Sequence, residues 1–473
     1  MKQAAERLME FDPVLIARLQ FAFTITFHII FPTFTIGLSA YIATLLVMSM
    51  VTGRERLQRL AQFWTRIFAV SFAMGVVSGV VLAYQFGTNW SHFSVFAGNV
   101  IGPLIGYEVL TAFFLEATFL GVMLFGWGRV PMALQVFSSI MVAIGTVISA
   151  FWILAANSWM QTPAGHQIVD GIAVPLDWWD IIFNPSFPYR FAHMLNAAYL
   201  TAAFVVLGVG ARYLLADRHP EQGRTMMRMA IGLVAILAPL QVLLGDLHGL
   251  NTLKHQPIKI AAIEGHWDTF GPGNFHVFAW PDEQAEENRF AISIPQGASL
   301  ILTHRLNGQF LGLKEVPPQE RPPVKTPFFA FRVMLAAGFF MVAAALVGAW
   351  LMWRGVLFET RWYLRIAANT WWIGFVAVIA GWLVTESGRQ PWVVHRILRT
   401  ADAISPVTAS TVATSLALFI AVYGIVFVAG IYYINRLIAK GPQSRALESP
   451  AAFPARPLSA AHDAGPEALA SRS

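Results

Sequence analysis

Apolar residues run through this chain in long blocks, without the strict alternation of a half-buried strand or the narrow stripe of a soluble helix. Nine blocks stand out, at 18–48, 64–86, 101–127, 133–155, 187–214, 229–249, 327–353, 367–387 and 409–436. Each is long enough to cross a bilayer, which takes roughly 20 apolar residues at about 1.5 Å of rise apiece. Breakers fall between them, as at Gly87-Thr88-Asn89, Asn184-Pro185 and Pro317-Pro318. No internal repeat marks duplicated halves. The pattern predicts an all-α polytopic membrane helical bundle of about nine transmembrane helices. Spans one to six fill 1–249, one long external loop fills 250–326, and the last three spans fill 327–440. The stretch 441–473 is rich in Ala, Pro and Ser and reads as a disordered cytoplasmic tail.

Orientation follows the Lys/Arg bias of short loops. Arg54, Arg56 and Arg59 lie after the first span, Arg129 after the third, Arg212, Arg218, Arg224 and Arg228 around the fifth loop, and Arg354, Arg361 and Arg365 after the seventh span. The alternate short loops 87–100 and 156–186 contain neither Lys nor Arg, although Arg389, Arg396 and Arg399 in the last loop run against the trend. The weight puts the N-terminus outside and the C-terminus in the cytoplasm. No removable leader is expected at the start.

Composition agrees, with 56% hydrophobic and only 12% charged residues, against about a quarter charged in soluble domains. The net charge of +6 is scattered between apolar runs, so membrane lipid is expected as a partner and nucleic acid is not. Cysteine is absent, which excludes disulfides, iron–sulfur clusters and thiolate-ligated haem.

Ionisable groups inside spans cost about 2.5–3.5 kcal/mol each and are functional candidates by default. Here they are His28, Glu108, Glu116, His193 and Glu386, with Arg332 and Met334 opening the seventh span. His28, Glu108, His193, Met334 and Glu386 all fall in the outer half of the bilayer in the inferred topology, and Glu116 lies about 12 Å deeper than Glu108. His193 and Met334 sit at matching depth on different helices, which suits a six-coordinate, low-spin haem. His28 and Glu386 are further axial candidates that leave a position open for a small gas. Glu108 and Glu116 could ligate or relay protons. Each signal has a plainer reading: a hydrogen-bonded packing His, a core Met, Glu386 paired with Arg389, or Arg332 as an interfacial anchor.

In the long loop, Lys259 and Glu264 are five residues apart, only loosely on one side of a helix. A solvated surface helix is the plainer reading of that spacing. A site that binds a quinol head group and takes its proton is the other.

The chain resembles subunit I of the cytochrome bd-type quinol oxidases. The likeness rests on Gln85-Phe86-Gly87-Thr88-Asn89-Trp90, Phe113-Phe114-Leu115-Glu116, Asn157-Ser158-Trp159-Met160-Gln161, Phe329-Ala330-Phe331-Arg332 and Gly388-Arg389-Gln390-Pro391-Trp392. It runs from Arg18 to the ninth span. The resemblance implies three haems near the outer surface. His193 and Met334 would hold low-spin haem b with Arg332 beside it, and His28 and Glu386 would hold the two high-spin haems. Glu108 would belong to that same site, with Glu116 on the proton path. Lys259 and Glu264 would form the quinol site, Trp382 would lie between haems, and Arg389 would touch cofactor. The interval from Glu264 to Arg332 matches a short-loop form similar to the cyanide-insensitive branch, where the oxygen site holds haem d or a further haem b. The implied activity is oxidation of ubiquinol or menaquinol at the outer face and reduction of oxygen to water, building a proton gradient without pumping. Implied partners are a second membrane subunit and, in some members, a very small third one. The rival readings are a haem b electron carrier that does not react with oxygen and an ion channel.

Overall fold

The computed structural model describes residues 12–269 and 272–442; the expected tail at 441–473 lies outside them from residue 443 on. Eight helices are long and apolar enough to span a membrane. They are α1 (Pro13–Thr52), α2 (Glu55–Thr88), α3 (Ser91–Phe125), α4 (Met132–Gln161), α6 (Phe187–Leu215), α7 (Pro220–His255), α10 (Lys325–Trp353) and α13 (Ala409–Lys440). The expected span at 367–387 is a broken pair, α11 (Arg361–Asn369) and α12 (Ile373–Ser387), bent by 43°. Counting that pair as one gives nine spans among the described residues.

Local chemistry sets the boundaries. Asp12 caps α1 by accepting from the Val14 N–H at 2.9 Å, and Gly53 closes it at φ 67°. The most buried spans are α1 and α6, which form the axis of the bundle, while α13 is the most exposed. Close approach along the axis depends on small residues: a Cβ on Gly37 would stand 2.5 Å from that of Ala202.

Between α7 and α10 the chain is folded. It forms α8 (Pro257–Glu264), the antiparallel hairpin β3 (Phe275–Asp282) and β4 (Glu287–Ile294), and α9 (Gly297–Thr303). Two further small hairpins, β1–β2 (His166–Val169 with Ile172–Pro175) and β5–β6 (Trp392–Val394 with Leu398–Arg399), and the short α5 (Trp178–Ile182) lie at the same end. This is the loop end of the bundle. The opposite end is a continuous apolar core that includes Leu38, Ile42, Leu46, Trp64, Phe204 and Met227.

Candidate functional site

At the loop end the spans part around one cavity of about 1570 Å³, larger than the roughly 300–1,000 Å³ clefts that take one small ligand. His28, Glu108, Glu116, His193, Lys259, Glu264, Met334, Trp382, Glu386 and Arg389 all line it. Arg332 is the one sequence candidate that does not.

The His28 Nδ1 lies 2.9 Å from the Ser78 hydroxyl, which itself donates to the Met74 and Gly75 carbonyls. Ser78 therefore accepts from Nδ1–H, and the Nε2 lone pair is left for a ligand. His193 takes a hydrogen bond on Nε2 from the Gln241 amide at 3.1 Å, while its Nδ1 is buried with no partner. Glycines on neighbouring helices keep these side chains clear. A Cβ on Gly79 would stand 3.2 Å from the His28 ring, one on Gly245 3.3 Å from the His193 ring, and one on Gly381 3.0 Å from Met334 Sδ. Each candidate is a lone donor, for among the described residues no three His, Asp or Glu side chains group as a metal cage. A lone donor suits a metal that brings its equatorial ligands, as haem iron does.

Glu108 and Glu116 flank a π-helical turn, Val109–Phe113, inside α3. Eight residues of unbroken α-helix would put them about 80° apart around the axis. The wide turn absorbs about one residue, leaving them within about 20°. Both then face α4, about two helical turns apart: the Ser149 hydroxyl donates to Glu108 at 2.7 Å, and a Cβ on Gly145 would come within 2.7 Å of Glu116 Cγ. Glu116 is buried with Oε1 unpartnered.

Glu386 sits in a basic cluster. It accepts from Arg389, from Asn157 at 3.1 Å and from Gln161 at 3.3 Å. Gln161 accepts in turn from Lys259 at 2.5 Å, and Asn157 from Arg190. Two buried guanidiniums, Arg190 and Arg389, and the buried Lys259 amine thus surround one carboxylate, and Arg389 Nε and Nη1 have no acceptor. A buried charge excess with orphaned donors is costly unless further anions arrive.

The solvated-helix reading of α8 does not survive. Every residue from Lys259 to Glu264 is buried. Burial, with Arg190 and Arg389 nearby, pushes the Lys259 ammonium well below its ordinary value. Burial also raises Glu264, against the pull of Arg332 at 3.0 Å. Arg332 spends its N–H groups on Glu264 and on the Ile263, His276 and Phe328 carbonyls. It pins α8 and the β3–β4 hairpin to α10.

Sequence reasoning missed Arg190, Gln241 and His248. Arg190 is an ionisable residue inside an apolar run, so the rule that found His193 finds it too. His248 lies at the margin of its span, and its ring centroid is 5.5 Å from that of His193. Gln241 carries no sequence signal, because only the packing of α7 on α6 brings it to the His193 ring.

Known proteins share this arrangement of helices. The family described as cytochrome bd terminal oxidase subunit I matches residues 16–442. A Bacillus subtilis protein named cytochrome bd ubiquinol oxidase subunit 1 is 37% identical, over 91% of this chain and 94% of its own. An Escherichia coli cytochrome bd-II ubiquinol oxidase subunit 1 is 32% identical, over 93% and 99%. The bd oxidase structure from Geobacillus thermodenitrificans superposes with a TM-score of 0.84 at 30% identity, over 91% of this chain and 99% of that one. The chain therefore belongs to the cytochrome bd terminal oxidase subunit I family.

Proposed function

We propose that this chain, the haem-bearing subunit of a quinol:oxygen oxidoreductase, oxidises ubiquinol or menaquinol at α8 on the outer face and reduces oxygen in the loop-end cavity. It is a multi-pass inner-membrane protein with a second subunit as partner; we place the N-terminus outside, with lipid and a very small third subunit as further partners. The carrying observation is that residues from six separate helices, chosen as chemical candidates, converge on one cavity.

The residues fit haem. His193 has an orphaned buried ring nitrogen, His28 has a tautomer fixed by Ser78, and Arg389, which lines the cavity, has buried donors without the anion that a porphyrin carboxylate would supply. His193 and Met334 would hold low-spin haem b. His28 and Glu386 would hold high-spin haems, one of them haem d or a further haem b. Bound haem supplies one-electron transfer and, where an axial position is free, the oxygen-binding iron. Arg389 and Trp382 would contact the macrocycles, whereas Arg332 acts through α8.

The protein's own part is proton handling and placement. A neutral Lys259 amine accepts a proton from quinol, and Glu264, held by Arg332, takes the other and releases it outside. Glu116 and Glu108 pass protons from the cytoplasm along the α4 face at Gly145 and Ser149. Taking protons from one side and releasing them on the other moves charge worth about 2.3 kcal/mol per 100 mV without a pump.

The test is the absorption change when carbon monoxide is added to the fully reduced complex. A CO-bound form is expected, its band position separating haem d from high-spin haem b. Reducible haem that ignores CO overturns oxygen reduction in favour of the electron carrier.

A further inference from the structure

The β3–β4 hairpin is inside out for a water-facing loop. Asn288 and His276 turn inward, while the charged Glu287 and Arg289 near the turn stay exposed: Asn288 donates to the Gly265 carbonyl at 2.7 Å, accepts from the Trp267 indole at 3.2 Å, and lies 3.2 Å from His276 Nε2. Its apolar side chains turn outward. Phe290 is 81% and Ile292 66% exposed, Ile292 pairs across the strands with the exposed Phe278, and Trp280 and Ile294 extend the patch. Leu300 and Ile301 on α9 are each 48% exposed. Scattered apolar residues need no explanation, but a contiguous patch marks an interaction surface.

Two observations say what covers it. First, the patch is continuous with a membrane span. Phe329 on the second turn of α10 lies 6.1 Å from the Phe278 ring and 5.8 Å from that of Trp280, and the Lys325 ammonium sits 5.2 Å over Trp280. Trp beside Lys at the start of a span is the composition of a membrane–water boundary. Second, the patch is the rim of the cavity. Ile294, Leu300 and Ile301 line it together with Phe339 of α10 and Val242 of α7, all of them partly open to the outside, and Glu264 lies farther in. These partly exposed residues place one edge of the cavity at α7, α9 and α10.

We infer that the outer face of the hairpin and α9 is immersed in the outer leaflet of the bilayer, and that Ile294, Leu300 and Ile301 frame a lateral port for a lipid-dissolved quinol. The head group goes in towards Glu264 while the isoprenoid tail stays among acyl chains. The port rests on the reading of α8 as the quinol site; the immersion does not.

The chain has no cysteine, so Phe290→Cys and Ile301→Cys give unique labelling sites in a holo-complex whose other cysteines have been replaced. A nitroxide on either is reconstituted in vesicles of phosphatidylethanolamine and phosphatidylglycerol. Immersion predicts more collisions with dissolved oxygen, which partitions into lipid, than with a water-soluble nickel chelate. Preference for the chelate overturns it, and so does a label shielded from both, which would mean that a protein partner covers the face. The port is tested separately with Ile301→Glu, expected to raise KM for a long-tailed quinol in vesicles several-fold more than for a short-tailed one. Equal KM changes overturn the port. Normal quinol turnover in Lys259→Met would remove the α8 site itself while leaving the labelling result untouched.

Discussion

The same helices build two unlike halves. Towards the opposite end, α1 presents Leu38, Ile42, Leu45 and Leu46, and these meet Trp64 and Phe68 of α2 with no exposed surface. Towards the loop end, α1 presents His28 and α2 presents Gly79 and Ser78, and the helices stand apart around a cavity. Packing in the first half depends on filling space, and any apolar side chain of the right volume serves it. The second half depends on leaving space: its glycines and hydroxyls keep donor atoms free and aimed. A solid half therefore acts as the frame that allows the other half to hold polar groups apart without collapsing.

The strongest way to break the comparison is at the donor atoms. Met334→Leu or His193→Ala should abolish the low-spin haem band while the complex still inserts and assembles; an unchanged band in the reduced spectrum removes the assignment. Next, Glu116→Gln should lower oxygen turnover by about tenfold or more, in line with loss of one proton-transfer group, with haem spectra retained. Turnover at the parental rate would take Glu116 off the path. In the frame, Leu46→Ala should cost about 2–5 kcal/mol by leaving a cavity, seen as a lower Tm with haem bands in place. If the bands shift as much as the Tm, the two halves are not separable. The smallest effect is a pH limb. The lowered Lys259 value means that the amine is protonated, and useless as a base, only below that value. Quinol kcat/KM should therefore rise with pH through it, and Lys259→Met should flatten that limb.

Span positions and donor types were legible in the sequence because both follow from local rules: run length, and the cost of an ionisable group in hydrocarbon. His28, His193 and Glu386 were found that way, and Arg190 could have been. The partners of these groups were not legible. Ser78 with His28, Gln241 with His193, and Asn157 and Gln161 with Glu386 are neutral residues whose roles exist only once helices pack. Lys259 and Glu264 show the limit most clearly, since spacing favoured a wet helix and only the tertiary cover of α8 buries it. Arg332 is set beside a haem by the resemblance alone, and its hydrogen bonds to Glu264 and the His276 carbonyl, which clamp α8 and the hairpin to α10, carry no sequence signal.

The π-helical turn at Val109–Phe113 also bears on which length changes this protein can tolerate. It stores one residue more than the rise of α3 requires. A one-residue deletion inside it would restore plain α-helix and keep Glu108 and Glu116 on the same side. The same deletion elsewhere between the two acids and the helix ends would swing everything beyond it by about 100°. That turn is a built-in slack, where α3 can lose a residue without turning its acids apart.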